Sequence, residues 1–276
     1  IFYSIQTNGT LVTDEWARFF REKKFLVGLS LDGDYEGNKF RVDEKGQNSY
    51  YKITSAANKF KKHGVEFNIL TVLTGYCAEN AERIYKHFRS QGFGYLQFIP
   101  CLRPFGSAEK SELYMTSEQY ADFLIRVFNL YVKDYVRDNY VSIRQFDNWF
   151  NILLGGAPEA CNMCGHCTVQ FVVEADGSVY PCDFYALDQW KLGNIQDDSL
   201  KRLLMCDKEK DFLSESLPVP EKCRACRWYS LCRNGCKRER LKDSGVNRWC
   251  EVHTQFFEYA FERMQQMASQ LKQRNR

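Results

Sequence analysis

From Phe2 to Arg137 the chain alternates between short apolar runs and longer stretches with apolar residues every three or four positions. Short continuous runs predict buried strands, and the three-to-four spacing predicts amphipathic helices. Strands are expected at Phe2–Gln6, Leu26–Leu31, Val65–Leu73 and Tyr95–Ile99, the last ended by Pro100. Between them, Thr13-Asp14-Glu15 caps a helix running to about Lys24. A second helix spans Ser49–His63 and stops at Gly64, and a third spans Ala78–Gln91 and stops at Gly92. Thr116 is expected to cap a long helix to Arg137. Strands this apolar, alternating with helices, predict a parallel sheet buried on both faces. Ser142–Phe146 reads as one more strand and Asp147–Leu154 as a short helix.

The pattern changes after Gly155-Gly156 and Pro158. Val169–Val173 and Ser178–Tyr180 read as two arms of a hairpin around Asp176-Gly177. Short loops dominate from Pro218 to Cys250. A final helix, Glu251–Gln273, carries Phe256, Phe257, Ala260, Phe261, Met264, Met267 and Leu271 at helical spacing. It is expected to be a packing helix that closes the second domain. The expected domains are 1–154 and 155–276.

Composition narrows the function classes. A chain of 276 residues that is 44% hydrophobic builds one large domain or two ordinary ones. The net charge of +3 is too mild to argue for nucleic acid. No apolar run reaches the roughly 20 residues of a membrane span. No leader pattern supports secretion, so a cytoplasmic protein is expected. Ile1 already stands at the edge of a strand, which reads as a piece of something longer.

The stretch from Cys161 to Cys250 holds nine of the twelve cysteines in a spaced framework, with Cys206 as a bystander. They fall as Cys161-x2-Cys164-x2-Cys167-x14-Cys182, then Cys223-x2-Cys226-x5-Cys232-x3-Cys236-x13-Cys250. Without a secretory context, bound metal is favoured over disulfides. Soft thiolates select zinc and iron–sulfur clusters alike, so spacing alone leaves both open. Cys77, Cys101 and Cys206 read as spare thiols. His63, His87, His166 and His253 show no ligand spacing, and His63 and His87 read as solvated helix faces. In parallel sheets, ligands sit at the carboxyl ends of the strands. Those ends carry Gln6-Thr7-Asn8-Gly9, Ser30-Leu31-Asp32-Gly33 and Gln97-Phe98-Ile99-Pro100-Cys101. Asn-Gly and Asp-Gly are also ordinary turn chemistry.

These motifs, with Gly28–Gly33, Leu96–Cys101, the run Tyr180-Pro181-Cys182-Asp183-Phe184 and Leu192-Gly193-Asn194-Ile195, resemble a known family. The chain is similar to radical S-adenosylmethionine enzymes carrying a SPASM domain, and most similar to the anaerobic sulfatase-maturating enzymes. The resemblance implies a partial (β/α) barrel with strands three to six present, followed by a cysteine-rich SPASM domain of short hairpins and a closing helix. It implies two auxiliary [4Fe-4S] clusters, the nearer on Cys161, Cys167, Cys182 and Cys236, the farther on Cys223, Cys226, Cys232 and Cys250. Cys164 is then expected to be spare. The family's Cys-x3-Cys-x2-Cys loop, which holds a third [4Fe-4S] cluster that binds and cleaves S-adenosylmethionine, does not occur here, so the first two strands are expected to be absent and this chain alone inactive. The resemblance further implies oxidation of a sulfatase Cys or Ser to formylglycine, with Asp183 as general base. Ser30, Arg41 and Leu102 match S-adenosylmethionine contacts. Asn8 and Gln97 are strand-end polar candidates. A sulfatase polypeptide and an electron donor such as flavodoxin or ferredoxin are the implied partners. Another SPASM-type modifier, or a module holding two zinc ions, is the alternative.

Overall fold

The computed structural model describes residues 1–107 and 111–274. Contacts divide the chain into two units: 1–147 with 258–262, and 148–257 with 263–276.

The first unit is a five-stranded parallel sheet with strands in sequence order. Its elements are β1 (Ser4–Thr7), α1 (Asp14–Glu22), β2 (Leu26–Ser30), α2 (Tyr50–His63), β3 (Glu66–Leu73), α3 (Gly75–Glu79), α4 (Ala81–Ser90), β4 (Tyr95–Pro100), α5 (Ser117–Val136), β5 (Ser142–Ile143) and the first turn of α6 (Arg144–Leu153), whose later residues belong to the second unit. The caps follow the sequence. Thr13 accepts from the Trp16 amide, Gly64 ends α2 in the left-handed conformation, and Thr116 with Gln119 closes a capping box at α5. The helix expected over 78–91 is two helices. At Asn80 the backbone and side-chain N–H groups both turn back to the Tyr76 carbonyl. The strand expected over 142–146 closes at Ile143, where α6 begins.

One face of the sheet is largely buried, and the other only in part, at Gly28 and Leu70. Right-handed crossovers between strands in sequential order place every helix on the same side. That side receives Val27, Leu29, Ile69, Thr71, Leu73, Leu96 and Phe98, all buried. Phe98 meets Phe123 of α5 at 5.0 Å, and Phe67 meets Phe60 of α2 at 5.5 Å. Fully buried Phe60, Phe88 and Phe123 each contribute about 1.5–3 kcal/mol. The other face carries Gln6, Gly28, Ser30, Asn68, Leu70 and Gln97. Small and polar positions therefore interrupt runs that read as apolar throughout. β1 pairs only with β2, so its outer edge has no strand beside it among the described residues.

The second unit holds a three-stranded antiparallel sheet, β6 (Val172–Val173), β7 (Ser178–Tyr180) and β8 (Gly193–Asn194). Asp176-Gly177 makes the expected turn, with Gly177 at φ +81°. β8 lies in the Leu192–Ile195 run, and Asn194 donates to the Asp176 carbonyl to hold that turn. Short helices follow: α7 (Leu200–Met205), α8 (Asp207–Ser214), α9 (Glu221–Arg224) and α10 (Tyr229–Cys232). α11 (Cys250–Arg274) is the long final helix. Its Phe256 and Phe257 pack on Trp149 at 4.9 and 5.0 Å. Among the described residues, no helix is long and apolar enough to cross a membrane.

Candidate functional site

The carboxyl ends of the parallel strands form the first group of candidate residues. Ser30 of β2 is level with Leu70 of β3, and Leu70 is level with Gln97 of β4. Asn8 follows Thr7, which is level with Leu29, so it enters the same row. Ser30 Oγ and the Gln97 carboxamide have no hydrogen-bond partner among the described residues, leaving both free for a ligand. Asn8 is occupied: its Oδ1 accepts from the Thr10 amide at 3.1 Å and hydroxyl at 2.9 Å. The turn reading holds for it. Gly9 has φ +73°, which L side chains rarely adopt, and a Cβ there would stand 2.7 Å from Leu29 Cδ1 and 3.0 Å from Ala56 Cβ, so a side chain would be strained.

Arg41 sits on the loop after β2 and already holds a carboxylate. Its Nε and Nη2 donate to Asp32 Oδ2 and Oδ1 at 2.6 and 3.0 Å. Asp32 is buried and also accepts from the Val72 amide at 2.7 Å. Burial pushes its pKa up, against the Arg41 bonds that pull it down. The guanidinium is thus fixed in orientation at the strand ends by a partner that the sequence reading did not assign. Leu102, two residues beyond β4, is half-buried. Cys77 is buried and its Sγ lies 3.5 Å from the Asp32 carbonyl oxygen, which fits a structural thiol. His63 and His87 are not solvated faces. His63 pairs with Asp14 at 2.6 Å, and His87 with the Tyr50 hydroxyl at 2.8 Å.

The second group is the cysteine framework. The thiols fall into two electrostatic neighbourhoods. Cys236 is pushed up to about 11, by burial first and then by Cys167 and Cys161. Cys182 is pushed up to about 12, by burial, by Asp183 and by Cys236. Cys161 feels Cys167, Cys164 and Asp183. Separately, Cys232 is pushed up to about 11 by burial and by Cys250, Cys223 and Cys226. Neighbouring thiols in each place are a donor set for cations, which a metal would deprotonate on binding. Among the described residues, no three Cys, His, Asp or Glu converge tightly enough to hold a single ion. The all-sulfur donor set suits iron–sulfur clusters. Cys164 turns its Sγ toward the carbonyls of Ala160 and Pro158 at 3.6 and 3.9 Å.

Asp183 is exposed at the start of a 3-10 turn, and its Oδ1 lies 3.3 Å from Cys182 Sγ. The Phe184 amide donates to the same oxygen at 3.0 Å. An exposed carboxylate so oriented can take a proton from a group that reaches it.

Three supporting residues escaped the sequence reading. Arg240 donates to the carbonyls of Ser216 (2.7 Å), Gly165 (2.8 Å), Gly235 (3.3 Å) and Asn234 (3.4 Å), tying three loops together. Lys237, beside Cys236, places Nζ 4.1 Å from the Phe212 ring centre, 4.8 Å from Trp190 and 5.1 Å from Tyr185. His253 Nδ1 lies 3.5 Å from Cys232 Sγ, and burial lowers its pKa to about 4. The only signal in sequence was proximity to cysteines.

Comparison with known proteins agrees with this chemistry. Residues 161–227 match the SPASM iron–sulfur cluster-binding domain. The chain is 45% identical to the cysteine-type anaerobic sulfatase-maturating enzyme of Clostridium perfringens, over 99% of this chain and 75% of that protein. It is 31% identical to the serine-type enzyme of Bacteroides thetaiotaomicron, over 97% of this chain and 69% of that protein. The solved structure of native anSMEcpe with bound AdoMet and Cp18Cys peptide superposes with a TM-score of 0.95, at 44% identity, over 98% of this chain and 77% of that one. With its parallel sheet, its two thiol groups and this degree of likeness, the chain belongs to the anaerobic sulfatase-maturating enzymes.

Proposed function

We propose that the chain serves to oxidise a cysteine side chain of a sulfatase polypeptide to formylglycine, using S-adenosylmethionine and two auxiliary [4Fe-4S] clusters. Residues 1–154 take the S-adenosylmethionine, and 155–276 take the clusters. The observation that carries the reading is the exposed Asp183 carboxylate held against Cys182. Cysteine is favoured over serine because the more similar relatives are cysteine-type.

When bound, S-adenosylmethionine, cleaved at the third [4Fe-4S] cluster that the family's Cys-x3-Cys-x2-Cys loop holds, would supply hydrogen abstraction from the substrate Cβ, and the auxiliary clusters would accept one further electron. This chain's residues supply position and proton transfer. Ser30 and Gln97 offer polar atoms on the open sheet face, and Arg41, locked by Asp32, offers its remaining N–H donors to a carboxylate. Leu102 gives an apolar contact for the adenine. Cys161, Cys167, Cys182 and Cys236 hold the nearer cluster, and Cys223, Cys226, Cys232 and Cys250 the farther. Two-electron oxidation of the thiol-bearing carbon releases one hydrogen atom, then one proton and one electron. Asp183 takes that proton at its carboxylate, and water hydrolyses the resulting thioaldehyde to the aldehyde with release of hydrogen sulfide. A small electron carrier such as flavodoxin or ferredoxin supplies the reducing electron.

The test is conversion of a cysteine-bearing sulfatase peptide by the anaerobic holoenzyme with S-adenosylmethionine and a chemical reductant, read by mass spectrometry and aldehyde trapping. The cysteine peptide is expected to convert faster than its serine counterpart. S-adenosylmethionine cleavage with neither peptide altered would overturn the reading.

A further inference from the structure

We propose that the exposed basic collar around the Cys223, Cys226, Cys232 and Cys250 loops is the docking surface for a small, acidic one-electron carrier protein. The inference rests on these four thiols holding a cluster, and it names the partner that exchanges electrons there.

Charge is the first observation. Pro218–Cys250 holds nine Lys and Arg against three Asp and Glu, a balance of +6. The whole chain is only +3, so the other residues together sum to −3. Compensation of the cluster does not account for this excess. A [4Fe-4S] core with four thiolates carries about −2, which leaves the segment near +4.

Exposure and pairing are the second. Lys222, Arg224, Arg227 and Lys242 are exposed, and none has an ion-pair partner among the described residues. Lys222 and Arg224 flank Cys223 on α9. Lys222 also lies within electrostatic reach of Cys250. The turn carrying Lys242 returns to the same place. Asn234 holds that turn by donating to the Gly245 carbonyl, and a Cβ on Gly245 would stand 3.5 Å from Pro220 at the head of α9.

The same charge could attract RNA, but the aromatic residues argue otherwise. Single-stranded nucleic acid binding uses exposed rings as stacking platforms. Trp228 and Trp249 are buried, and Arg227 and Arg248 lie over them at 4.2 and 4.5 Å. What faces outward is cationic without a stacking platform. A carrier whose cofactor is ringed by Asp and Glu is the complement, and long-range attraction would speed its encounter. The step is one electron from the reduced cluster to the oxidised carrier, with no bond made or broken.

The test compares the cluster-loaded protein with a Lys222→Glu/Arg224→Glu/Lys242→Glu variant. Oxidised flavodoxin is the acidic probe, and cytochrome c is the basic control. Stopped-flow reoxidation of the reduced clusters is read at low and high salt. At low salt the unaltered protein is expected to reduce flavodoxin at least about tenfold faster than the variant, with the gap closing as salt screens the surface. Iron content and peptide conversion with chemical reductant stay unchanged in the variant. Equal flavodoxin rates would overturn the proposal, as would cytochrome c outpacing flavodoxin on the unaltered protein. A variant that lost only RNA retention on a filter would overturn it in favour of nucleic acid. Failure of the functional reading looks different: the unaltered protein itself would lack clusters or leave the peptide unconverted.

Discussion

Arg240 offers the sharpest single perturbation. Its guanidinium joins the loop between Cys164 and Cys167, the chain at Ser216, and the Asn234-Gly235 turn that precedes Cys236. Ser216 is itself tied to the first loop, since its Oγ accepts from the Cys167 amide at 2.8 Å. Arg240→Met keeps much of the stem and removes every donor. Two short bonds at about 1.5 kcal/mol each and two long ones at about 0.5 sum to about 4 kcal/mol. Relaxation of the loops around the Met side chain returns part of that, leaving about 2–3 kcal/mol against local opening. That raises the open population about 30- to 150-fold. Iron release to a chelator, followed by bleaching of the cluster absorbance, reads the open state. The variant should lose half its iron quickly, from the Cys161–Cys167–Cys182–Cys236 group, while the other half leaves at the normal rate. Arg240→Lys should recover only part, because one ammonium cannot span the same carbonyls. Bleaching of Arg240→Met within about twofold of the unaltered protein would refute the reasoning.

Asp183→Asn keeps the hydrogen-bonding shape and loses the base. S-adenosylmethionine cleavage should persist while peptide conversion falls about 10²- to 10⁴-fold, and equal conversion would remove the proton role. Cys164→Ser should retain full iron and Cys167→Ser should lose about half, as measured by iron and acid-labile sulfide. Glu209 of α8 is buried, with neither carboxylate oxygen partnered among the described residues, and burial raises its pKa. Its folded pKa lies above the unfolded value, so its ionisation costs stability as pH rises past the unfolded pKa. Glu209→Gln should therefore raise the thermal midpoint at about pH 8, with a gain that shrinks toward about pH 5. A gain independent of pH would contradict this.

The fold was legible wherever apolar period and end signals coincide. Thr13, Gly64 and Thr116 mark helix ends in sequence and do so in the structure. The burial expected on both strand faces is interrupted on one of them, where Gly28 and Leu70 are buried but Ser30, Asn68 and Gln97 only partly so, because hydropathy does not show which side the crossovers choose. Handedness does, and it leaves Ser30 and Gln97 on the open side. Asn80 broke a helix that periodicity ran straight through, since a side chain returning to the Tyr76 carbonyl is invisible to spacing. The cysteines announced their chemistry by density and spacing. Arg240 and Lys237 did not, because an Arg or Lys in a loop reads the same whether it is solvated or clamps three carbonyls. Arg41 was legible as a cation near the strand ends, but its bond to Asp32 depends on a loop closure that no local pattern encodes.

The central claim is that two groups of four thiols each hold an iron–sulfur cluster. Iron, zinc and acid-labile sulfide counted together on the anaerobically purified protein test it most directly. About eight iron and eight sulfide per chain from these two groups, in a brown protein with negligible zinc, is the predicted result. A colourless protein with two zinc ions and no sulfide would contradict the account.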